Sequence, residues 1–338
     1  MMRGYWRWFV FGSFLSASCG TGTDDVGTVQ SALTVSSTPS ATGLPVGTTM
    51  TPNGPVDSTC VFQVPSGAVV EKGGDVIMNG VVIDHHNPCT PKQMGLQANG
   101  PTTNGPTPAG AHTWIEATFG HALTINGVAS YNDLSGYWTV PNDPHYQCIG
   151  VTCYEPPPIL FFFPAFQNTT LTEIVQPVLS WGNNGNYGGP YWSLSSWYVG
   201  PSAAYYSPPL PAYAGDTIFG VISILTHNEY QITTTDVTQG GYYTYLNTYF
   251  YTPMTVVSGG AMEVANVYLC TSYPTSTPIK FYDLSIFQAG PSWNSYNLVN
   301  PTWSNWVNSG ANPQCTFGAF NSVDHVNNVS TAVLRYAD

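Results

Sequence analysis

Short runs of β-type residues, separated by turn signals, are the feature that most constrains how this chain can fold. From about His112 to Asp338 such runs follow one another closely, and none sustains the period of an amphipathic helix. Many short strands without intervening helices are typical of a β-sandwich or barrel, so we expect an all-β, jelly-roll-like sandwich. The expected strands are Ala122–Ile125, Gly136–Val140, Ile159–Phe163, Leu171–Ser180, Tyr191–Val199, Thr217–Leu225, Tyr230–Thr235, Tyr242–Tyr251, Ala261–Leu269 and Ile279–Phe287.

The N-terminus predicts export. In residues 1–19, Arg3 and Arg7 precede the apolar run Trp8–Leu15, which ends in small residues, as in a signal peptide. The run is too short to span a bilayer, and we expect no transmembrane segment elsewhere. Two fates are open: cleavage nearby with release of a secreted protein, or lipidation at Cys19 with anchoring to the cell envelope.

The remaining cysteines predict disulfide bonds, because they are even in number and an exported protein meets an oxidising compartment. Proximity in the sequence favours the pairs Cys60 with Cys89, Cys148 with Cys153, and Cys270 with Cys315. The sequence has no CxxC pair, so we do not expect these cysteines to bind a metal.

After the signal segment, residues 1–19, composition divides the chain into three parts. Residues 20–56 are rich in Ser, Thr, Gly and Pro and are expected to form a flexible leader. Residues 57–110 contain short β-type runs around the Asn79-Gly80 turn signal and are expected to form a small β unit clipped by a disulfide. Residues 111–338 are expected to form the β-sandwich.

Charged residues are scarce. They make up 7% of the chain, and the formal net charge is −12. After the signal segment the only basic residues are Lys72, Lys92, Lys280 and Arg335, too few for a patch that binds nucleic acid. A chain with few carboxylates loses little stability as the pH falls, so we expect an acidic working environment.

Common catalytic motifs are missing from the sequence. It has no GxSxG elbow, HExxH pair, Walker loop or GxGxxG turn, and we expect no cofactor. The cluster Asp84-His85-His86 is not expected to bind a metal, because adjacent residues on a strand point to opposite faces.

Two polar residues within expected strands stand out. Glu263 shares a strand face with Ala261 and Ala265, and an acid with small apolar neighbours is costly to bury unless it has a partner or a function. Gln176 lies beside Pro177, which cannot donate to a β-ladder and therefore predicts a bulge or an edge there. From the residues alone, a buried structural hydrogen bond is the alternative for each of them.

Several local sequence patterns follow one another in an order that is informative about Gln176 and Glu263. The patterns are Leu134-Ser135-Gly136-Tyr137-Trp138-Thr139-Val140-Pro141, Glu173-Ile174-Val175-Gln176-Pro177-Val178, Ser196-Trp197-Tyr198-Val199, Ala214-Gly215-Asp216-Thr217-Ile218, Ala261-Met262-Glu263-Val264 and Lys280-Phe281-Tyr282-Asp283-Leu284-Ser285-Ile286-Phe287. In this order they resemble the eqolisin-type glutamic peptidases, from about Phe119 onward. One departure is Phe161–Ala165, where the family has a Trp-Val-Gly segment.

The resemblance implies a concanavalin-A-like β-sandwich and a secreted acid endopeptidase that acts on proteins or peptides. The resemblance also implies that Glu263 is the general base and then the general acid, and that Gln176 stabilises the oxyanion. Trp192, Trp197 and Tyr198 are the implied substrate-binding residues. Residues 57–110 lie where the family has a propeptide, so the small β unit is a candidate for removal on activation.

Two other classes of function remain open from the sequence. A concanavalin-like sandwich can serve as a carbohydrate-binding module, and this chain is rich in Trp, Tyr and Asn. It can also serve as a noncatalytic surface protein. The sequence does not indicate the oligomeric state or the cleavage preference.

Overall fold

The structure is a computed structural model of the 338-residue chain. It describes residues 47–95, 113–123, 130–145, 148–149, 152–153, 157–226, 228–275, 278–289, 296–308 and 315–336. The expected signal peptide and the lipidation candidate Cys19 lie outside these residues.

Two large sheets dominate the described residues. The front sheet contains, in spatial order, β22 (Ser304–Val307), β7 (Thr113–His121), β19 (Met254–Ala265), β11 (Ile159–Asn168), β12 (Ile174–Trp181), β13 (Trp192–Val199), β14 (Ala204–Tyr206) and β3 (Val61–Gln63), with β15 (Leu210–Ala212) also paired to β13. The back sheet contains β23 (Gly318–Asp324), β24 (Val329–Arg335), β20 (Ile279–Ala289), β8 (Tyr131–Thr139), β16 (Thr217–Thr226), β17 (Glu229–Asp236), β18 (Tyr242–Tyr249), β4 (Val69–Val70), β5 (Asp75–Met78) and β6 (Val81–His85), with β21 (Tyr296–Val299) paired to β20.

Smaller elements complete the described part of the chain. They are the β1–β2 hairpin (Thr48–Thr51 and Gly54–Asp57), the β9–β10 ribbon (Cys148–Ile149 and Thr152–Cys153), and 3₁₀ turns at Ser58–Cys60 and Cys270–Ser272. No α-helix occurs among the described residues, and none of their helical turns is long and apolar enough to cross a membrane. The expected all-β sandwich is confirmed.

The pleat of the front sheet divides its side chains between two apolar layers. On β12, Val175 and Leu179 point into the inter-sheet core, where they join back-sheet residues such as Ile232. Ile174 and Val178 point the other way, to what we call the outer face of the front sheet. Both layers are buried, so the outer face is itself covered.

The β1–β2 hairpin contributes to that cover. Met50 and Val56 belong to the same apolar cluster as Ile174 and Val178, and both are almost fully buried. The expectation of a flexible leader over 20–56 is therefore wrong for residues 47–56. The reason is that a short alternating segment around Asn53-Gly54 can bury two apolar side chains against an existing sheet.

The described strands within the segment 57–110 also join the main sheets. The strand β3 runs parallel to β14 at the edge of the front sheet, and β4 runs parallel to β18 in the back sheet. The strands β5 and β6 extend the back sheet further. Whether this segment is removed on activation stays a prediction.

Two of the three expected disulfides are present. They are Cys60–Cys89 and Cys270–Cys315, with Cα–Cα distances of 6.1 and 5.4 Å. Cys148 and Cys153 are backbone partners in the β9–β10 ribbon, but their side chains lie outside the described part of the structure, so this bond stays a prediction.

Most expected strands are observed, with shifts at their ends. The expected strand Ala122–Ile125 differs: β7 ends at His121, residues 122–123 are not in a strand, and residues 124–125 lie outside the described part of the chain. Pro177 lies in the centre of the front sheet and not at an edge. The β11–β12 ladder has no residue pairs between Phe162↔Leu179 and Phe166↔Val175, where Pro164 and Pro177 both lack an N–H.

A buried carboxyl in the inter-sheet core makes stability depend on pH. Glu116 on β7 is fully buried opposite Met262, and its Oε2 accepts a hydrogen bond from the Gly318 N–H at 3.0 Å. Burial raises the pKa of Glu116 well above its ordinary value of 4.5. The folded protein therefore holds this proton at a pH where the unfolded chain has lost it.

We predict that the free energy of unfolding falls as the pH rises above about 4.5, and that Glu116→Gln reduces this fall. Urea unfolding at pH 4 and pH 7 measures it. Asp324→Asn is the control. Hydrogen bonds from Asn327 and Val326 lower the pKa of the exposed Asp324 carboxyl, so the contribution of Asp324 to the free energy of unfolding increases with pH instead of decreasing. An unchanged pH dependence in Glu116→Gln contradicts the prediction.

Candidate active site

Glu263 lies on the outer face of the front sheet. It is on β19, opposite Phe161 of β11 and Trp114 of β7, and it is fully buried. Glu116 on β7 pairs with Met262, the residue before Glu263, so strand alternation points Glu263 outward and Glu116 into the core, while a register shift there places Trp114 opposite Glu263. Within the described part of the chain, neither carboxyl oxygen of Glu263 has a hydrogen-bond partner.

Burial raises the pKa of Glu263 well above its usual range and so favours the neutral form of the side chain. The backbone N–H of Gly54 faces the carboxyl group and lowers the pKa in part. It does not meet the geometry of a hydrogen bond, and we therefore treat it as a near contact. An acid with apolar neighbours and no hydrogen bond is costly to keep in a fold.

Gln176 lies on the same face. It is on β12, directly opposite Trp197 of β13, and it is also fully buried. Its Nε2 donates a hydrogen bond of 3.1 Å to the carbonyl oxygen of Pro52, in the turn of the β1–β2 hairpin. Its Oε1 has no partner among the described residues.

The β-register fixes how the two side chains are arranged. Phe161 of β11 is opposite both Glu263 and Ser180, so Gln176 lies farther along β12 than the residue level with Glu263. In an ideal sheet this amounts to about 13 Å along the strands and about 9.5 Å across them. Gln176 and Glu263 nevertheless both contact one hairpin turn, Pro52–Gly54. A peptide backbone therefore fills the space between the amide and the acid.

A hydroxyl network beside the two residues is fully bonded. The Trp197 Nε1–H donates to Ser195 Oγ at 2.7 Å and to the Tyr187 hydroxyl at 3.1 Å. Ser180 Oγ lies 2.9 Å from Ser193 Oγ. The network holds the Trp197 ring next to Gln176, and Trp197 also stacks on Tyr206 with ring centroids 4.7 Å apart.

The three aromatic residues implied for substrate binding do not share a face. Trp197 lies on the outer face with Gln176. Trp192 and Tyr198 point into the inter-sheet core, where Trp192 packs against Trp181. Residues at even and odd positions of β13 face opposite ways, which is why the expectation for Trp192 and Tyr198 disagrees with the structure.

Sequence reasoning missed the hairpin turn Pro52-Asn53-Gly54. A signal was present, since Asn-Gly is a strong turn dipeptide and Met50 and Val56 flank it at alternating positions. It also missed Gln167 on β11, which is fully buried opposite Ile174 and Val256 of the outer face, with both amide atoms unpartnered among the described residues. No local pattern distinguishes Gln167.

The two imidazole rings of the Asp84-His85-His86 cluster make different contacts. His85 Nδ1 lies 2.6 Å from Asp75 Oδ1, while the His86 ring stacks on Phe62 with centroids 3.6 Å apart. Over the part of the chain that the structure describes, no group of three or more His, Cys, Asp or Glu side chains could hold a metal ion.

No protein-family model and no curated protein matches the chain. Among solved structures, it is similar to scytalido-glutamic peptidase bound to a transition state analog inhibitor, at 13% identity and a TM-score of 0.40, over 66% of this chain and 98% of that one. It is also similar to SCP-B, an eqolisin-family peptidase in complex with the tripeptide Ala-Ile-His, at 14% identity and a TM-score of 0.38, over 66% of this chain and 98% of that one. A protein of unknown function from Shewanella oneidensis MR-1, SO2946, has a TM-score of 0.23 and 11% identity, over 41% of this chain and 59% of that one.

Proposed function

We propose that this protein is an acid endopeptidase of the glutamic type, in which Glu263 and Gln176 hydrolyse peptide bonds. The main observation behind the proposal is that the Pro52–Gly54 turn contacts both side chains. A peptide carbonyl, that of Pro52, accepts a hydrogen bond from Gln176, and a peptide N–H, that of Gly54, faces Glu263. The two side chains thus already contact the two kinds of group that a peptidase must bind. The ordered sequence resemblance to eqolisin-type peptidases supports the same function.

In the proposed reaction the ionised Glu263 carboxylate takes a proton from a water molecule, and the water oxygen bonds to the carbonyl carbon of the substrate. The Nε2–H of Gln176 donates to the oxyanion that forms on the carbonyl oxygen. Glu263 then gives its proton to the amide nitrogen as the C–N bond breaks. The products are a carboxylic acid and an amine, and Glu263 returns to its ionised form.

This pair of groups suits acidic conditions. A carboxyl group exchanges protons best when the pH is near its pKa, which for an open, solvated Glu lies close to 4.3. A carboxamide donates a hydrogen bond at every pH because it does not titrate in this range. The scarcity of charge in the chain is compatible with work at low pH.

The substrates in this proposal are proteins or peptides, and the protein acts outside the cytoplasm. Two disulfides favour an extracellular or other oxidising location. Secretion by the signal segment, with or without a lipid at Cys19, is part of the proposal.

We predict that Glu263→Gln lowers kcat on acid-denatured casein near pH 3 by about 10²- to 10⁴-fold, because it removes the proton-transferring group. Gln176→Ala is expected to lower kcat by about 10²- to 10³-fold through loss of the oxyanion donor. Each variant is assayed as the intact chain and after acid incubation. Circular dichroism checks that the fold is retained.

Glu116→Gln is the matched control, because Glu116 is equally buried on the neighbouring strand but points to the opposite face. It is expected to keep the parent activity. Full activity in Glu263→Gln would sink the proposal. Binding to a glycan array without any hydrolysis across acidic pH would instead favour a carbohydrate-binding module.

We further predict that Gln176→Glu gives an enzyme with a narrowed pH range. A protonated Glu can donate to the oxyanion, whereas an ionised Glu repels it. Activity should therefore be retained in part near pH 3 and be lost steeply by about pH 5, above the ordinary pKa of Glu. A pH profile of kcat/KM measures this. If Gln176→Glu and the parent have the same profile, Gln176 does not contact the oxyanion.

A further inference from the structure

The turn of the β1–β2 hairpin lies on the proposed catalytic pair. The Pro52 carbonyl accepts from Gln176 Nε2 at 3.1 Å, and the Gly54 N–H faces Glu263. Gln176 and Glu263 have no exposed surface in this arrangement. A substrate backbone must reach both side chains, so it competes with the turn for the same positions.

Specific contacts hold the hairpin in place. The Met50 N–H donates to the Asn184 carbonyl oxygen at 2.8 Å, and the Asp57 N–H donates to the Gln93 carbonyl oxygen at 2.8 Å. Thr49 Oγ1 donates to Asn186 Oδ1 at 3.0 Å. With the buried side chains of Met50 and Val56, these contacts attach both strands of the hairpin to the rest of the fold.

The turn itself depends on a glycine. Gly54 has φ = 99°, a conformation that residues with a Cβ rarely adopt. Gly54 is also buried, and a residue with a Cβ at this position would be strained by the positive φ. A single substitution can therefore loosen the turn without touching Gln176 or Glu263.

We propose that the hairpin of residues 48–57 is a built-in inhibitor that places its own backbone on the catalytic pair and must leave it before a substrate can bind. This inference rests on the proposed function and adds regulation to the same site. The hairpin acts from within the chain, so the high effective concentration of a tethered group keeps the site closed even if its intrinsic affinity is modest.

The connection to the fold allows the hairpin to leave without being lost. It continues through the Ser58–Cys60 turn into β3 of the front sheet, and Cys60 is bonded to Cys89. Both attachments lie on the C-terminal side of the hairpin. Release is therefore a movement about residues 58–60, and the same hairpin can close the site again.

The test compares two glycine substitutions in Asn-Gly turns of the full chain. Gly54→Val strains the hairpin turn, while Gly80→Val introduces the same residue at φ = 76° in the β5–β6 turn, where a Cβ would meet no atom within 4 Å. Peptidase activity is measured at pH 3 to 5. We expect Gly54→Val to be about 5- to 100-fold more active than the parent chain. This is the factor by which such backbone strain lowers the equilibrium constant for the state in which the hairpin covers the site. Gly80→Val should match the parent.

Hydrogen exchange gives a readout that does not depend on catalysis. The Met50 and Asp57 N–H groups donate hydrogen bonds to the carbonyl oxygens of Asn184 and Gln93. Their exchange rates should increase by a similar factor in Gly54→Val and should equal those of the parent in Gly80→Val. Faster exchange with no gain in activity, in a parent chain that hydrolyses substrate, overturns the inhibitor. Met50→Ser provides a second route to a released hairpin, and it should behave as Gly54→Val does.

A synthetic peptide of residues 47–58 with a fluorescent label separates this inference from the proposed function. We expect it to bind Gly54→Val, to bind the parent at least about tenfold more weakly because the site is filled, and to bind the double variant Gly54→Val/Gln176→Ala more weakly. If no chain hydrolyses any substrate but this binding pattern is observed, the peptidase proposal fails and the occlusion of the face is supported. Equal binding of the peptide by the parent and Gly54→Val overturns the inhibitor.

Discussion

The unpartnered carboxyl group of Glu263 is the constraint on which the outer face of the front sheet depends. Glu173, which is also buried, accepts hydrogen bonds from the Tyr198 hydroxyl and from the Tyr251 and Thr252 N–H groups, and Glu116 accepts one from Gly318. Glu263 has none within the described residues. A fold that satisfies one buried acid completely and leaves another without a bond keeps the second at a cost. This contrast distinguishes Glu173, an acid with a structural role, from Glu263, the candidate catalytic acid.

The geometry of the front sheet explains why these acids do not share one environment. The pleat sends alternate side chains to opposite faces, so Glu116, which pairs with Met262, and Glu263, the next residue along β19, lie on neighbouring strands but on opposite faces. The hydroxyl network around Trp197 belongs to the same face as Glu263 and Gln176. Among the described residues, the hydroxyls around Trp197 on this face are bonded to one another, whereas Glu263, Gln167 and Ser258 have buried polar atoms without a partner.

The sequence was sufficient for the fold class, for most strands and for the two described disulfides, because period-two patterns and paired cysteines are local signals. It also identified Glu263 and Gln176 as unusual strand residues. It was not sufficient for the hairpin of residues 48–57, whose burial is decided by a surface built from distant parts of the chain. Nor did it separate Trp197 from Trp192 and Tyr198, because an aromatic residue favours a strand equally on either face. Long-range packing, and not local preference, decided both.

Closure by the hairpin has a consequence for how the site opens. Burial beneath the hairpin raises the pKa of Glu263, and in an open site water would bring that pKa back towards its ordinary value. The closed state therefore binds the proton more tightly, and by linkage falling pH favours the closed state over the open one. Asp57, the hairpin's own carboxyl, is exposed, and hydrogen bonds from Thr59 lower its pKa, so it has no comparable burial effect. If the enzyme works in acid, protonation of Glu263 cannot be what releases the hairpin. Release must come from strain within the hairpin, from cutting of the chain, or from a substrate that competes for Gln176.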